Sequence, residues 1–168
     1  MKKAVFLDRD GVINFERGHY TVKVSDFIIN DGIGEAVKLL KDNGFGVIII
    51  SNQGGIAKGL YSHDDVLDMH LKLCEYLFEY GTNIDDFFYC PHHDSISQCL
   101  CRKPNTLLFE KAMAIYNINI DNSYMIGDSE RDIIAAQKCG IKAIKIEPNK
   151  NIVEICKTII ENGKIYNA

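Results

Sequence analysis

The chain has 168 residues, 46% hydrophobic and 25% charged, which fits one soluble domain able to bury its own core. Its net charge of −4 comes without a basic block, which argues against a nucleic-acid partner. Met-Lys-Lys is followed by only a short apolar run, Ala4 to Leu7, too short for a signal peptide or a membrane span. A cytoplasmic protein with reduced thiols is therefore expected, and a monomer.

In chain order, KAVFL (3–7) reads as a first strand. GEAVKLLKDNG (34–44) has helical spacing and closes on Gly44, a C-terminal cap. FGVIII (45–50) is continuously apolar, as a strand covered on both faces should be. The segment 62–81 opens on a Ser62 cap and closes on Gly81. DFFYC (86–90) is a third strand, and a helix over 104–116 starts with Pro104 at a tolerated first-turn position. SYMIG (123–127) is a fourth strand, followed by a helix over 129–140 in which Ser129 and Asp132 have capping-box spacing. KAIKI (142–146) and a last helix over 151–163 complete the set. Alternating strands and helices with no repeat or linker predict one domain over 1–168. The fold class is α/β, a three-layer α/β/α Rossmann-like arrangement around a central parallel sheet.

Parallel sheets bind ligands beyond the carboxyl ends of their strands. DRDGVIN (8–14) follows the first strand, SNQGG (51–55) the second and DSERD (128–132) the fourth, while Arg102-Lys103 lies beyond the third. One edge then collects Asp8, Asp10, Ser51, Lys103 and Asp128. Two carboxylates this close repel unless a cation or a shared proton intervenes. A hard divalent cation such as Mg²⁺ suits oxygen ligands, and Asp128 adds a third. With Lys103, Ser51 and the Gly54-Gly55 amides on phosphate oxygens, the set suits attack of a carboxylate on phosphorus, with Asp10 as acid and base. Taken singly, each residue has a bland reading as turn, cap or surface charge. For Asp132 the cap is the preferred role.

At VFLDRDGVIN (5–14), IIISNQ (48–53), the lysine of CRKP (101–104) and MIGDSERD (125–132), the chain resembles the haloacid dehalogenase (HAD) superfamily of phosphatases. FLDRDG, SNQGGIAKG and CPHH…CLCRKP narrow the resemblance to heptose-bisphosphate phosphatases and their histidinol-phosphate relatives, which share a zinc loop and lack a large cap. The 43 positions from Asp8 to Ser51 leave no room for such a cap.

The resemblance implies Asp8 as nucleophile and Asp10 as general acid/base. It implies Mg²⁺ on the Asp8 and Asp128 carboxylates and the Asp10 backbone carbonyl, with Ser51 and Lys103 on the phosphoryl group. Arg102 then recognises the sugar-phosphate substrate. Glu16, Arg17, Gly18, His19 and Tyr20 line its pocket with Asn52, Gln53 and Gly54. Ser129, where some relatives carry lysine, remains a hydroxyl or amide contact. SNQGGIAKG and ERGHY favour a heptose bisphosphate over histidinol phosphate, although the short zinc loop is nearer the histidinol type.

Cys90, His92, Cys99 and Cys101 give C-x-H-x6-C-x-C. Four such ligands close a tetrahedral Zn²⁺ site with no open position, the pattern of a structural metal. The alternative is a reduced surface loop. His93 is read as exposed or outside the ligand set, and Cys74, Cys139 and Cys156 as core. Two readings of other classes compete, a phospho-accepting receiver domain and a zinc-organised binding module with an inactive site. A receiver should carry its phosphoacceptor after strand three, whereas here Asp-x-Asp ends strand one.

Overall fold

The computed structural model describes residues 2–165. Five strands form one parallel sheet: β1 (Ala4–Leu7), β2 (Gly46–Asn52), β3 (Asp86–Cys90), β4 (Tyr124–Gly127) and β5 (Lys142–Lys145), in the order β3-β2-β1-β4-β5. The helices are α1 (Ile33–Asp42), α2 (His63–Glu79), α3 (Leu107–Tyr116), α4 (Glu130–Lys138) and α5 (Val153–Ile165).

The apolar strands are buried on both faces because consecutive side chains point opposite ways. Val5 and Leu7 of β1 join Val47 and Ile49 of β2 in one core, closed by Val37 and Leu40 of α1, Leu73 of α2 and Ile159 of α5. Phe6, Ile48, Ile50 and Met125 form the other core, under Leu108 and Phe109 of α3 and Ala135 of α4. The Phe6 and Phe109 rings meet edge-on at 5.2 Å, a favourable aromatic arrangement. The result is the three-layer α/β/α architecture. Only a loop, a short 3-10 turn and α1 lie between β1 and β2, so no cap is inserted there.

Three local readings are corrected. β2 runs through Ser51 and Asn52 because Tyr89 and Cys90 of β3 give these polar residues a ladder partner. Pro104 is not in the first turn of a helix. The Asn105 N–H bonds the Arg102 carbonyl at 2.8 Å, so residues 102–105 turn back before α3 begins at Leu107. Cys74 is exposed rather than core, whereas Cys156 is buried as expected. Parallel pairing brings the carboxyl ends of all five strands to one edge, which sets the reaction centre.

Candidate active site

Asp8 is the first residue after β1 and is buried. Its Oδ1 accepts from Lys103 Nζ at 2.8 Å. Lys103 comes from beyond β3 and is 2% exposed. Its ammonium also reaches Asp132 Oδ1 at 2.6 Å and the Ile50 carbonyl at 2.6 Å. Two hydrogen bonds and a close ion pair thus compensate the buried ammonium. Burial opposes its charge, but Asp8 and Asp132 outweigh burial and hold its pKa above the usual lysine value.

Asp132 lies in the MIGDSERD motif, where its spacing reads as a helix cap and not as a site residue. Its Oδ2 accepts the Ser129 N–H at 3.0 Å, which is the capping role read from the sequence. Its Oδ1 holds Lys103, and this second role was not foreseen. Asp128 follows β4 directly, and carboxylate oxygens of Asp8, Asp128 and Asp132 lie within 4.8 Å of one another. Gly11 makes room for them. Its φ is +83°, and a Cβ there would sit 2.1 Å from Asp128 Oδ2.

Three carboxylates against one ammonium leave two negative charges in excess, the deficit that a divalent cation offsets. Burial, then the charge of Asp132, pushes the Asp8 carboxyl up to about 7. The same two causes raise Asp128 to about 6.

Asp10 is set differently. Arg9 is buried, and its guanidinium contacts both Asp10 oxygens at 2.8 and 2.9 Å. Asn14 Nδ2 adds a bond to Oδ1 at 3.0 Å and Gln53 Nε2 one to Oδ2 at 3.1 Å. Burial works against the Asp10 anion, but Arg9, Asn14 and Gln53 hold its pKa below the usual carboxylate range. Ser51 is buried at the end of β2, its Oγ accepting from Gln53 Nε2 at 2.6 Å.

A cleft of about 270 Å³ opens beside this centre, lined by Asp10, Glu16, Gly18, His19, Tyr20, Asn52 and Arg102 among others. Four predicted contacts lie elsewhere. Arg17 turns to Asp26, 3.5 Å away. Gln53 is fully buried under Asp10. Gly54 packs where any Cβ would come within 2.9 Å of His93 and 3.0 Å of Arg102. Ser129 is the cap of α4. Arg131, in the first turn of that helix, lines the cleft instead, a role that the sequence reading did not assign to it. The cleft loop is anchored by Asn149, whose Oδ1 accepts the Glu16 N–H at 2.6 Å and whose Nδ2 donates to the Glu16 carbonyl at 3.1 Å. The Asn149 N–H also bonds the Gly11 carbonyl at 2.7 Å, tying this loop to the Asp8–Asn14 turn.

Lys103 is fixed from two sides. Asn52 brackets its backbone, donating to the carbonyl at 3.0 Å and accepting from the N–H at 2.9 Å. Just before it in sequence, Cys90, His92, Cys99 and Cys101 converge, with neighbouring donors 3.0 to 3.6 Å apart. Tetrahedral zinc at ordinary bond lengths needs edges of about 3.5 to 3.8 Å, so a small outward shift of the sulfurs makes the donor set compatible with that ion. Burial pushes the Cys90 thiol far above its usual pKa, so its thiolate needs a cation. His93 bonds Ser95 at 2.8 Å and lies outside the cluster.

With this geometry in hand, comparison with known proteins is informative. A family model described as HAD-hydrolase-like matches residues 100–158. The D-glycero-beta-D-manno-heptose-1,7-bisphosphate 7-phosphatase of Haemophilus ducreyi is 37% identical over 173 residues, covering 99% of this chain and 87% of the relative. The chain belongs to the heptose-bisphosphate phosphatase family of HAD-like hydrolases. The Helicobacter pylori (strain ATCC 700392 / 26695) member is 39% identical over 141 residues, 83% of this chain and 80% of that protein. The crystal structure of the D,D-heptose 1,7-bisphosphate phosphatase of B. bronchiseptica, complexed with magnesium and phosphate, has the same fold, with a TM-score of 0.85. It is 23% identical to this chain, covering 95% of it and 99% of the neighbour.

The acid cluster gives a testable pH dependence. Asp8 and Asp128 have folded pKa values above their unfolded ones, so their contribution to stability is full below about pH 4 and is lost as pH rises through about 6 to 7. A divalent cation reverses this by favouring the carboxylates. Added Mg²⁺ is expected to raise the thermal midpoint more at pH 8 than at pH 5 in scanning fluorimetry. Equal shifts at the two pH values would count against cation binding at these acids.

Proposed function

We propose that this chain removes one phosphate from a heptose bisphosphate by way of an aspartyl-phosphate on Asp8. The observation that supports it most is the buried Asp8–Lys103–Asp132 cluster with Asp128 beside it, in a chain whose relatives carry that activity in their names. The Asp8 and Asp128 carboxylates and the Asp10 carbonyl would hold a magnesium ion, which would supply the charge neutralisation that lets a carboxylate approach a phosphate dianion. Asp8 is the nucleophile, because it is the member of the acid cluster that Lys103 holds at the strand end. Lys103 and the Ser51 hydroxyl take the equatorial phosphoryl oxygens, where charge is spread in the transition state.

Asp10 serves as the general acid/base. Its four short contacts hold it ionised, the state of a base ready to activate water against the aspartyl-phosphate. To protonate the leaving oxygen first, it must give up part of this cage. The cleft supplies the recognition. Arg102 and Arg131 place two guanidinium groups near its rim, suited to the phosphate that is not cleaved. Arg102 is itself held by the His92 carbonyl at 3.0 Å. The Cys90–His92–Cys99–Cys101 cluster binds zinc in this reading, and so stiffens the segment that delivers Arg102 and Lys103.

Three measurements test the reading. Asp8→Asn is expected to abolish phosphate release from heptose 1,7-bisphosphate, and the intact protein should turn over that substrate faster than histidinol phosphate. The reverse ranking would reassign the substrate, and no turnover of any phosphomonoester with Mg²⁺ present would remove the enzyme reading. Arg131→Ala is expected to raise KM for the bisphosphate roughly tenfold, as loss of a charge-assisted bond does, while leaving p-nitrophenyl phosphate kinetics unchanged. Elemental analysis should find one zinc per chain, reduced in Cys99→Ser. Undiminished zinc in that variant would take Cys99 out of the ligand set.

A further inference from the structure

Below the cleft a short chain of hydrogen bonds ends on Ser51. Tyr61 Oη donates to Gln53 Oε1 at 2.7 Å, and Gln53 Nε2 donates to Ser51 Oγ at 2.6 Å and to Asp10 Oδ2 at 3.1 Å. Gln53 is wholly buried and Tyr61 only 7% exposed, so water cannot substitute for either partner. We propose that Tyr61 and Gln53 are positioning residues that make Ser51 a hydrogen-bond donor to the transferring phosphoryl group. The inference rests on the phosphatase reading above.

The direction of the chain is fixed at both ends. An ionised carboxylate only accepts, so the Gln53 amide must turn its NH₂ toward Asp10, and Ser51 lies on that same side. At the other end the Gln53 Oε1 then faces the Tyr61 hydroxyl, and an amide oxygen only accepts. Tyr61 must therefore send its own proton to Gln53 Oε1. Ser51 then receives a proton from Gln53 and keeps its own free for another acceptor. With the amide reversed, the Ser51 proton would be spent on Gln53, and its lone pairs would face an anionic phosphoryl oxygen. Hydroxyl direction is thus set by groups that never touch the substrate.

Tyr61 has a second contact that suits this role. Its ring meets Tyr20 of the cleft loop edge-on at 6.2 Å. The phenol is thus held between the Gln53 amide and the Tyr20 ring, and the amide it fixes contacts both Asp10 and Ser51.

Steady-state kinetics with p-nitrophenyl phosphate test the proposal in wild type, Tyr61→Phe, Ser51→Ala and the double variant. Tyr61→Phe is expected to lower kcat roughly tenfold with little change in KM, since the lost bond matters in the transition state. In the Ser51→Ala background the same change should cost almost nothing, because the residue it acts through is gone. Vanadate, a trigonal-bipyramidal mimic, should bind Tyr61→Phe less tightly, with inorganic phosphate affinity preserved. Unchanged kcat in Tyr61→Phe, or an equal loss in both backgrounds, overturns the proposal. If Tyr61→Phe lowers the thermal midpoint sharply, Gln53→Met carries the test with the phenol intact: its loss in kcat should shrink in the Ser51→Ala background to the part that acts through Asp10, and an undiminished loss there overturns the proposal. A wild-type protein that releases no phosphate refutes the phosphatase reading, and this inference falls with it.

Discussion

The site is organised around one buried ammonium. Lys103 has no route to water, so its charge must be compensated inside the protein. Asp8, Asp132 and the Ile50 carbonyl compensate it, and these come from the ends of three different segments of the sheet edge. Removing one partner of such a cluster leaves a buried charge unpaired, a cost of about 3–5 kcal/mol. That penalty locks β1, the β2 end, the turn before α3 and the start of α4 into one register. The same geometry is what an anionic transition state requires, so folding and chemistry share a constraint here.

Several surrounding features follow from it. Asn52 brackets the Lys103 backbone with two hydrogen bonds, which explains why β2 continues past its apolar run. Gly11 has no side chain because Asp128 occupies that space. Arg9 faces inward, since Asp10 would otherwise add a third uncompensated negative charge to an already acidic edge. The cysteine cluster lies on the segment leading to Lys103, where rigidity is most useful.

Much of this was legible in the sequence because parallel sheets put their ligands in a known place. Asp8, Asp10, Ser51 and Asp128 follow apolar runs, and Lys103 follows a cluster of metal-type residues, so strand order alone brings them together. Asp132 shows where such reading stops. A local rule explained one of its oxygens, and nothing local announces a contact made by the other with a lysine far away in sequence. Arg9 and Arg131 were missed for a related reason. A single arginine reads as surface charge until the packing shows whether it is enclosed, as Arg9 is, or aimed into a cleft, as Arg131 is. Arg17 and Gly54 were misplaced because a motif names a segment, while the direction of each residue depends on neighbours such as Asp26 and His93.

Asn149 joins the cleft loop to the Asp8–Asn14 turn through their backbone groups alone. The cleft loop hangs on an asparagine after β5, through bonds to the backbone of residue 16 and not to its side chain. Side chains on either side of that anchor can change without loosening it. The acids and Lys103 are held by other segments. A lineage with this fold can therefore explore new leaving groups by exchanging residues 16–20, at little risk to the phosphorus chemistry. The attachment point works as a modular joint, and substrate range in such enzymes should drift faster than reaction type.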